Sequence, residues 1–312
     1  MSDIVTITPN PAVDVSTTVE RIVPVAKLRG TTQQRDPGGG GINVARVITR
    51  LGGDVTALYP VGGPTGLLLK QLVESEGVSS RTWTTAEDTR EDFFVQERAT
   101  GQPYRFILPG PALTEPEWQA GLALLSGLDP FPRFVVGSGS LPRGVPTDYY
   151  ARLAAAARAR GAQFILDTSG PALAAAVAGG VDLIKPSLHE MRDLVGGEPA
   201  DATAWEQAAR ILVTNGKVGM IALTMGHLGA LLVTPDRLLR AKPLTMVPVN
   251  AVGAGDSFLG ALVAKLAASV PLEDAFRFAV AAGAAALLRT GTALCDPVDI
   301  SRLLADVRLE TV

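Results

Sequence analysis

The sequence predicts an α/β domain on a mainly parallel central sheet, with a small β-layer attached as a lid. Short β-rich segments alternate with longer helical ones through most of the chain, and strand, helix, strand at that spacing reads as βαβ units on a parallel sheet. Two stretches, residues 15–36 and 89–108, break the alternation; they are rich in β-branched and aromatic residues and have no helical period. A chain of 312 residues, 47% hydrophobic and with 33 glycines, can bury one large core.

In chain order, DIVTI (3–7) reads as the first strand and residues 15–36 as the first half of the β-layer. The helix INVARVITRLG (42–52) carries Ile42, Val44, Val47, Ile48 and Leu51, and is followed by the strand DVTALYPVG (54–62) and the helix GLLLKQLVESEG (66–77). Residues 89–108 complete the β-layer, with a hairpin-like turn at ATGQ, residues 99–102. After residue 130 the alternation resumes through FVVGSG, YYARLAAAARARG, QFILDTS, VDLIKPS, AWEQAARILVTNG and VGMIALT. No repeat, low-complexity tract or linker interrupts it. Residues 1–312 are therefore expected to form one domain, with a lid from about 15–36 and 89–108.

Composition narrows the function. With 28 basic and 31 acidic residues the formal net charge is -3, which gives no general attraction to nucleic acid or anionic lipid, so any anion site must be local. Cys295 is the only cysteine; it excludes an intrachain disulfide and a cysteine-based zinc site, and suits a reducing compartment. The opening MSDIVTITPNP lacks the basic and apolar regions of a signal peptide, and the longest apolar run, 278–288, is short of the ~20 residues that cross a bilayer. A cytoplasmic protein with no nucleic acid or membrane partner is expected.

Ligands on parallel sheets sit at the carboxyl ends of strands, and several stretches with chemistry fall there. PGGGGINVA (37–45) runs four glycines into a helix; that is costly in backbone entropy and points to close approach of a ligand, the alternative being a plain loop. Asn43 in the first turn adds a polar group. Asp14, in TPNPAVDV (8–15), falls beside the glycine run, where it is either a solvated acid or a partner for sugar hydroxyls. Lys27, Arg29, Arg90 and Arg105 lie in the two β-rich stretches, as a solvated face or as partners for a phosphate. In DLIKPSLHE (182–190), Ser187 and Glu190 have capping-box spacing, while Lys185 and Glu190 could also reach a nucleotide phosphate and its metal. LTMGHLGA (223–230) reads as a hairpin turn, and His189 and His227 are too scattered for a metal site. VGAGD (252–256) is the most specific stretch. An ordinary cap explains an aspartate at a helix start, but paired glycines there also aim backbone N–H groups and a helix N-terminus at one spot, which suits an oxyanion or a phosphoryl group.

On these residues the chain resembles the ribokinase (PfkB) family of ATP-dependent sugar kinases over essentially its full length. The C-terminal signature, usually DTxGAGD, stands as NAVGAGD (250–256), and the N-terminal one as GGGGINVA (38–45). Within the family the chain is most similar to the bacterial 6-phosphofructokinases, through PGGGGINVAR, KLR (27–29), SGSLP (138–142) and the tail around Gly291 and Cys295. Kinases of tagatose 6-phosphate and fructose 1-phosphate have GGKGxN where this chain has Gly40.

The resemblance implies a ribokinase-like α/β/α sandwich with a β-lid that pairs two subunits into a homodimer. It implies Asp256 as catalytic base, with the amides of Gly253, Ala254 and Gly255 as anion hole. Asp14, Gly39, Gly40, Asn43 and Ser140 would contact the sugar, and Arg90, Arg29 and Lys27 its phosphate. Lys185, Ser187, Thr224, Gly226 and Gly229 would line the ATP side, with Glu190 holding Mg²⁺ through water. Asn250, Val252, Ala286, Arg289 and Gly291 mark a candidate site for a monovalent cation, K⁺. Three departures stand out: Ser187 replaces the Asn of an NxxE motif, Asn250 replaces the first acid of the signature, and Arg289 enters the cation loop. The expected activity is ATP-dependent phosphorylation of fructose 6-phosphate at its C1 hydroxyl. Rival readings are a tagatose-6-phosphate kinase or 1-phosphofructokinase, a kinase of an unphosphorylated sugar or nucleoside, and a binding regulator without turnover.

Overall fold

A computed structural model describes residues 2–197, 199 and 201–311. The chain opens with β1 (Ile4–Ile7), leaves the main sheet for β2 (Ala12–Val19) and β3 (Gln34–Gly38), and returns through α1 (Gly40–Arg50), β4 (Val55–Val61), α2 (Gly63–Ser75) and β5 (Ser79–Thr84). A second excursion makes β6 (Arg90–Glu97) and β7 (Pro103–Phe106). Then follow α3 (Glu115–Ser126), β8 (Phe134–Ser138), α4 (Tyr149–Ala159), β9 (Gln163–Asp167), α5 (Gly170–Gly179), β10 (Val181–Ile184), α6 (Leu188–Val195), α7 (Ala202–Thr214) and β11 (Val218–Thr224). The chain ends through β12 (Ala230–Val233), β13 (Leu238–Ala241), α8 (Ala254–Ala267), α9 (Leu272–Ala286), α10 (Pro297–Leu304) and β14 (Leu309–Thr311).

Among the described residues the main sheet has ten strands in the order β14-β13-β12-β11-β10-β9-β8-β1-β4-β5. Pairing is parallel from β5 to β11 and antiparallel from β11 to β14. β1 lies between β4 and β8, so the chain winds outward to one side of it first and to the other side later. The order therefore reverses beside β1, and the crevice beyond the carboxyl ends of β1 and β8 is where such a sheet receives a ligand. Two apolar layers sandwich the sheet: Ile42, Ile48, Leu69, Phe258 and Phe276 from α1, α2, α8 and α9 on one face, and Trp118, Tyr149, Leu173, Met191 and Trp205 from α3 to α7 on the other. Among the described residues no helix is long and apolar enough to cross a membrane.

The two β-rich stretches form a second sheet, β3-β2-β6-β7. Its inner pair, β2 and β6, is parallel, and the outer pairs are antiparallel. Residues 20–33 are irregular, so strand content there is less than the sequence suggested.

The glycine run is explained first by the protein itself. A Cβ on Gly38 would stand 2.5 Å from the Asp14 carboxyl, on Gly39 2.8 Å from Thr8 Cγ2, on Gly40 2.2 Å from Ser138 Oγ and on Gly41 2.5 Å from Thr8 Oγ1. Gly39 also has φ 110°, outside the range of other residues. Expecting all four glycines to answer a ligand's approach was therefore too generous, because the start of α1 is wedged against the ends of β1 and β8. Gly39→Ala is expected to cost about 1–3 kcal/mol from backbone strain and to lower the thermal midpoint by several degrees in calorimetry. An unchanged midpoint would show that the wedge relaxes freely.

Candidate active site

Two helix starts meet in the crevice. α8 begins at Gly253, whose left-handed backbone (φ 74°) turns the chain into the helix with no side-chain cap, so the first-turn N–H groups of Ala254, Gly255 and Asp256 have no intrahelical partner. α1 begins at Gly39 and brings Asn43 to the same place, where Asn43 Nδ2 donates to Asp256 Oδ2 at 2.9 Å. Of the predicted site residues, Asn43 and Asp256 are thus joined directly across 213 positions of sequence.

Lys185, at the end of β10, closes the third side. A Cβ on Gly255 would lie 3.2 Å from Lys185 Nζ, so any larger residue there would press on the ammonium. Lys185 pairs with Asp167 at the end of β9, Nζ to Oδ1 3.2 Å, with both side chains largely buried. Burial opposes the lysine's charge, but the carboxylates of Asp167, Glu190 and Asp256 outweigh it and hold its pKa above the ordinary value. Burial pushes Asp167 up to about 7; Lys185 pulls against this, while Asp256 and Glu190 add to it. Asp256 is also raised by burial, against the Asn43 hydrogen bond and the positive charges of Lys185, Arg46 and Arg105. A carboxylate, an ammonium and a free helix N-terminus in one crevice can take a proton beside a bound anion.

The lid sheet covers the other side. In register, Asp36, Asp14 and Asp92 lie side by side across β3, β2 and β6. Arg90 and Arg105 share their face, by strand alternation and by the pairing of Phe94 with Arg105. Arg90 is pinned, pairing with Asp92 at 3.3 Å and donating to the carbonyls of Leu108 at 3.0 Å and Asn10 at 3.3 Å. Asp14 has no hydrogen-bond partner among the described residues, which leaves its carboxylate free for hydroxyls. Ser140, just beyond β8, accepts from Asn10 Nδ2 at 3.0 Å. Lys27 and Arg29 stand exposed on the loop between β2 and β3, apart from this cluster.

On the nucleotide side, Ser187 and Glu190 do make a capping box: Ser187 Oγ accepts from Glu190 N at 3.3 Å, and Glu190 Oε2 accepts from Ser187 N at 2.7 Å. Glu190 Oε1 remains free of that bond. Thr224 N donates to the Pro186 carbonyl at 3.0 Å, joining the ends of β10 and β11. The expected hairpin follows, with a single 3₁₀ turn at Gly226–Leu228 and left-handed backbone at Gly226 and Gly229. Open space faces Gly226, whereas a Cβ on Gly229 would stand 2.1 Å from the Ala241 carbonyl. His189 and His227 are exposed. In the candidate cation loop, Asn250 donates its amide to the Gly291 carbonyl and accepts from Val252 N at 3.1 Å. Arg289 turns to Asp296 at 3.1 Å and Asp299 at 2.6 Å; its side chain cannot serve a cation. Ala286 is buried at the end of α9.

Sequence reasoning missed four residues here. Asp167 carries the same signal as Asp14, an acid at the carboxyl end of a strand. Arg46 falls among the apolar positions of α1, where a charge is out of place. Asn10 and Asp92 needed the register to be seen.

A carboxylate beside an ammonium and an uncapped helix start, where the strand order of a doubly wound sheet reverses, suits a phosphoryl-transferring α/β enzyme. The chain belongs to the pfkB family of carbohydrate kinases, whose family model matches residues 4–299. It is 43% identical over 299 residues to ATP-dependent 6-phosphofructokinase isozyme 2 of Mycobacterium tuberculosis (96% of this chain, 88% of the relative). It is 40% identical over 310 residues to the isozyme 2 of Escherichia coli (98% and 99%). Phosphofructokinase-2 from Escherichia coli has been solved in complex with potassium (TM-score 0.91, 40% identity, 98% of this chain and 99% of that chain). It has also been solved with substrates and products (TM-score 0.92, 39%, 97% and 98%) and in a tetrameric inhibited form (TM-score 0.92, 39%, 98% and 99%). Ribokinase from Arabidopsis thaliana shares the fold (TM-score 0.75, 19%, 97% and 99%).

Burial, with Asp92 beside it, pushes Asp14 up to about 7, against Arg105, Arg46 and Arg90. An unfolded aspartate titrates near ~3.9, so between those values the folded protein keeps a proton that the unfolded chain releases. This stabilisation is complete below the lower value and is lost as pH rises through about 7. Asp14→Asn has no such dependence. Its thermal midpoint is expected to gain on the parent's by roughly 2 °C or more between about pH 5 and about pH 8. A constant difference would mean that Asp14 titrates normally.

Proposed function

We propose that the protein transfers the γ-phosphoryl group of ATP to the C1 hydroxyl of fructose 6-phosphate, giving fructose 1,6-bisphosphate and ADP. The observation that carries this reading is the Asn43–Asp256 contact at 2.9 Å, which sets an aimed carboxylate at a free helix N-terminus, and the named relatives act in the same sense. Asp256 accepts the proton as the C1 hydroxyl oxygen bonds the γ-phosphorus. The bond from that phosphorus to the β–γ bridging oxygen breaks, and ADP leaves with the electron pair. The N–H groups of Gly253, Ala254 and Gly255, together with the Lys185 ammonium, offset charge on the transferring group. Asp14, Gly39, Gly40, Asn43 and Ser140 bind the sugar hydroxyls, and Arg90 and Arg105 its phosphate.

Ser187, Thr224, Gly226 and Gly229 hold the nucleotide; Gly226 has the open space that this needs. Glu190, with one carboxylate oxygen left outside its capping box, would hold Mg²⁺, which would supply charge neutralisation for the phosphates. Asn250 and the backbone of Val252, Ala286, Arg289 and Gly291 would hold a K⁺ ion, which would add positive charge beside the start of α8; the Asn250 amide already ties this loop to Gly291. Phe93 and Phe106 are paired on the outer face of the lid, and with Ile107, Leu108 and Leu28 they expose an apolar surface that suits a lid-to-lid homodimer. Lys27 and Arg29, exposed on the loop between β2 and β3, are the further cations for the sugar's phosphate. The buried, unpaired Cys295 fits work in the cytoplasm.

Asp256→Asn is expected to retain fold and ATP binding while kcat drops about 10²- to 10⁴-fold; near-normal turnover would remove Asp256 from the chemistry. Arg90→Ala should raise KM for fructose 6-phosphate far more than KM for ATP, and an unchanged sugar KM would return Arg90 to a structural role beside Asp92. A coupled ADP-release assay across phosphorylated and free ketohexoses, with and without K⁺, tests the substrate. Faster turnover of tagatose 6-phosphate or fructose 1-phosphate would overturn the assignment.

A further inference from the structure

Asp256 is backed by a row of donors and acceptors, buried at Asn43 and Arg46, whose far end the proposed chemistry does not use. Arg46, three residues after Asn43 on α1, is among the largest fully buried side chains, at 2% exposure. Its Nη1 donates to Asn43 Oδ1 at 3.0 Å and to the Pro37 carbonyl at 2.9 Å. Its Nη2 pairs at 2.5 Å with Glu76, which follows the last turn of α2 and is held from the other side by Arg50 at 2.9 Å. The row therefore runs Glu76, Arg46, Asn43, Asp256.

Chemistry permits only one arrangement of its middle member. A guanidinium only donates hydrogen bonds and an ionised carboxylate only accepts them, whereas an asparagine amide has one end of each kind. With Arg46 on one side, Asn43 must turn Oδ1 toward it, and its NH₂ is then left for Asp256. Turned the other way, the amide would set NH₂ against the guanidinium and oxygen against the carboxylate, two repulsive contacts at once. The helix has no packing need for an arginine here: its buried neighbours are Ile42, Val44, Val47 and Ile48, and a buried charge is expensive unless paired. Glu76 supplies that pairing without reaching the crevice.

We propose that Arg46 is a positioning residue: it locks the Asn43 amide so that its N–H points at Asp256, and thereby keeps the base aimed and ready to take the acceptor's proton. The inference rests on the reading of Asp256 as base. A merely structural Arg46 would tie Pro37, α1 and α2 together and leave turnover to follow stability.

A double-mutant cycle on the full-length enzyme separates the two roles. In the parent, Arg46→Met is expected to lower kcat at saturating substrates about tenfold or more, with little change in KM for ATP. In an Asn43→Ala background the same substitution should change kcat less than about twofold, because the group through which it acts is gone. Equal losses in both backgrounds, or no loss in the parent, would overturn the inference. If Arg46→Met does not fold, Arg46→Lys goes through the same cycle with the same two outcomes; it keeps the charge but cannot span Pro37, Asn43 and Glu76 together. Failure of the underlying reading looks different: Asp256→Asn would then retain turnover whatever the cycle shows.

Discussion

The 2.9 Å contact between Asn43 and Asp256 is the constraint on which the rest of the crevice depends. It requires two helices far apart in sequence to start within hydrogen-bond reach of each other, and so it fixes how closely α1 and α8 pack. Gly260 makes that approach feasible, since a Cβ there would stand 2.8 Å from Val47 and 3.0 Å from the Val44 carbonyl. The same logic holds at the helix starts, where Gly40 yields to Ser138 and Gly255 to Lys185. Several glycines that look like ligand clearances are thus clearances for the protein's own groups. The proposed anion site is what remains once those groups have been seated.

Electrostatics in the crevice are balanced rather than one-sided. Burial pushes Asp14, Asp167 and Asp256 upward, and the charges of Lys185, Arg46, Arg90 and Arg105 pull against it. An isolated buried carboxylate would simply stay protonated and could not serve as a base, while one fully paired with a lysine would be a weak one. Asp256 lies between these limits. It accepts a neutral amide N–H, and Lys185, which holds the stronger charge, is paired to Asp167 instead. The ammonium therefore stands beside the start of α8 while its ion pair is made with Asp167 and not with Asp256.

Much of this was legible in the sequence, and the rest was not for definable reasons. The strand and helix alternation, the lid segments and the two glycine-led helix starts all have local signatures, so their elements were readable. Ser187 and Glu190 were read both as a capping box and as nucleotide partners, and the box is present. Asp167 and Lys185 end neighbouring parallel strands, a proximity that depends on strand order and not on spacing along the chain. Arg46 illustrates the deeper limit. A charged residue in an apolar helical stripe can be flagged from sequence, but its purpose depends on which acceptors α2 and the glycine run bring to it. Arg289 was placed in the cation loop by the family resemblance, and its side chain turns to Asp296 and Asp299 because α10 brings those acids within reach.

The same residues also tie the lid to Asp256. β3 runs into α1 through the glycines with no intervening loop, and Pro37, at the lid end of that junction, is held by the Arg46 guanidinium that also holds Asn43. One residue earlier, Asp36 accepts from Thr292 Oγ1 at 2.7 Å, in the loop where Gly291 meets Asn250. The lid strand is therefore fastened at consecutive residues to the helix carrying the amide that faces Asp256 and to the loop that meets Asn250. A lid anchored only through flexible linkers could sit anywhere above the crevice. This one cannot shift at Asp36 and Pro37 without disturbing the hydrogen bonds of Thr292 and of the Arg46 guanidinium that also holds Asn43, so the placement of the lid and the aim of Asn43 at Asp256 are set together.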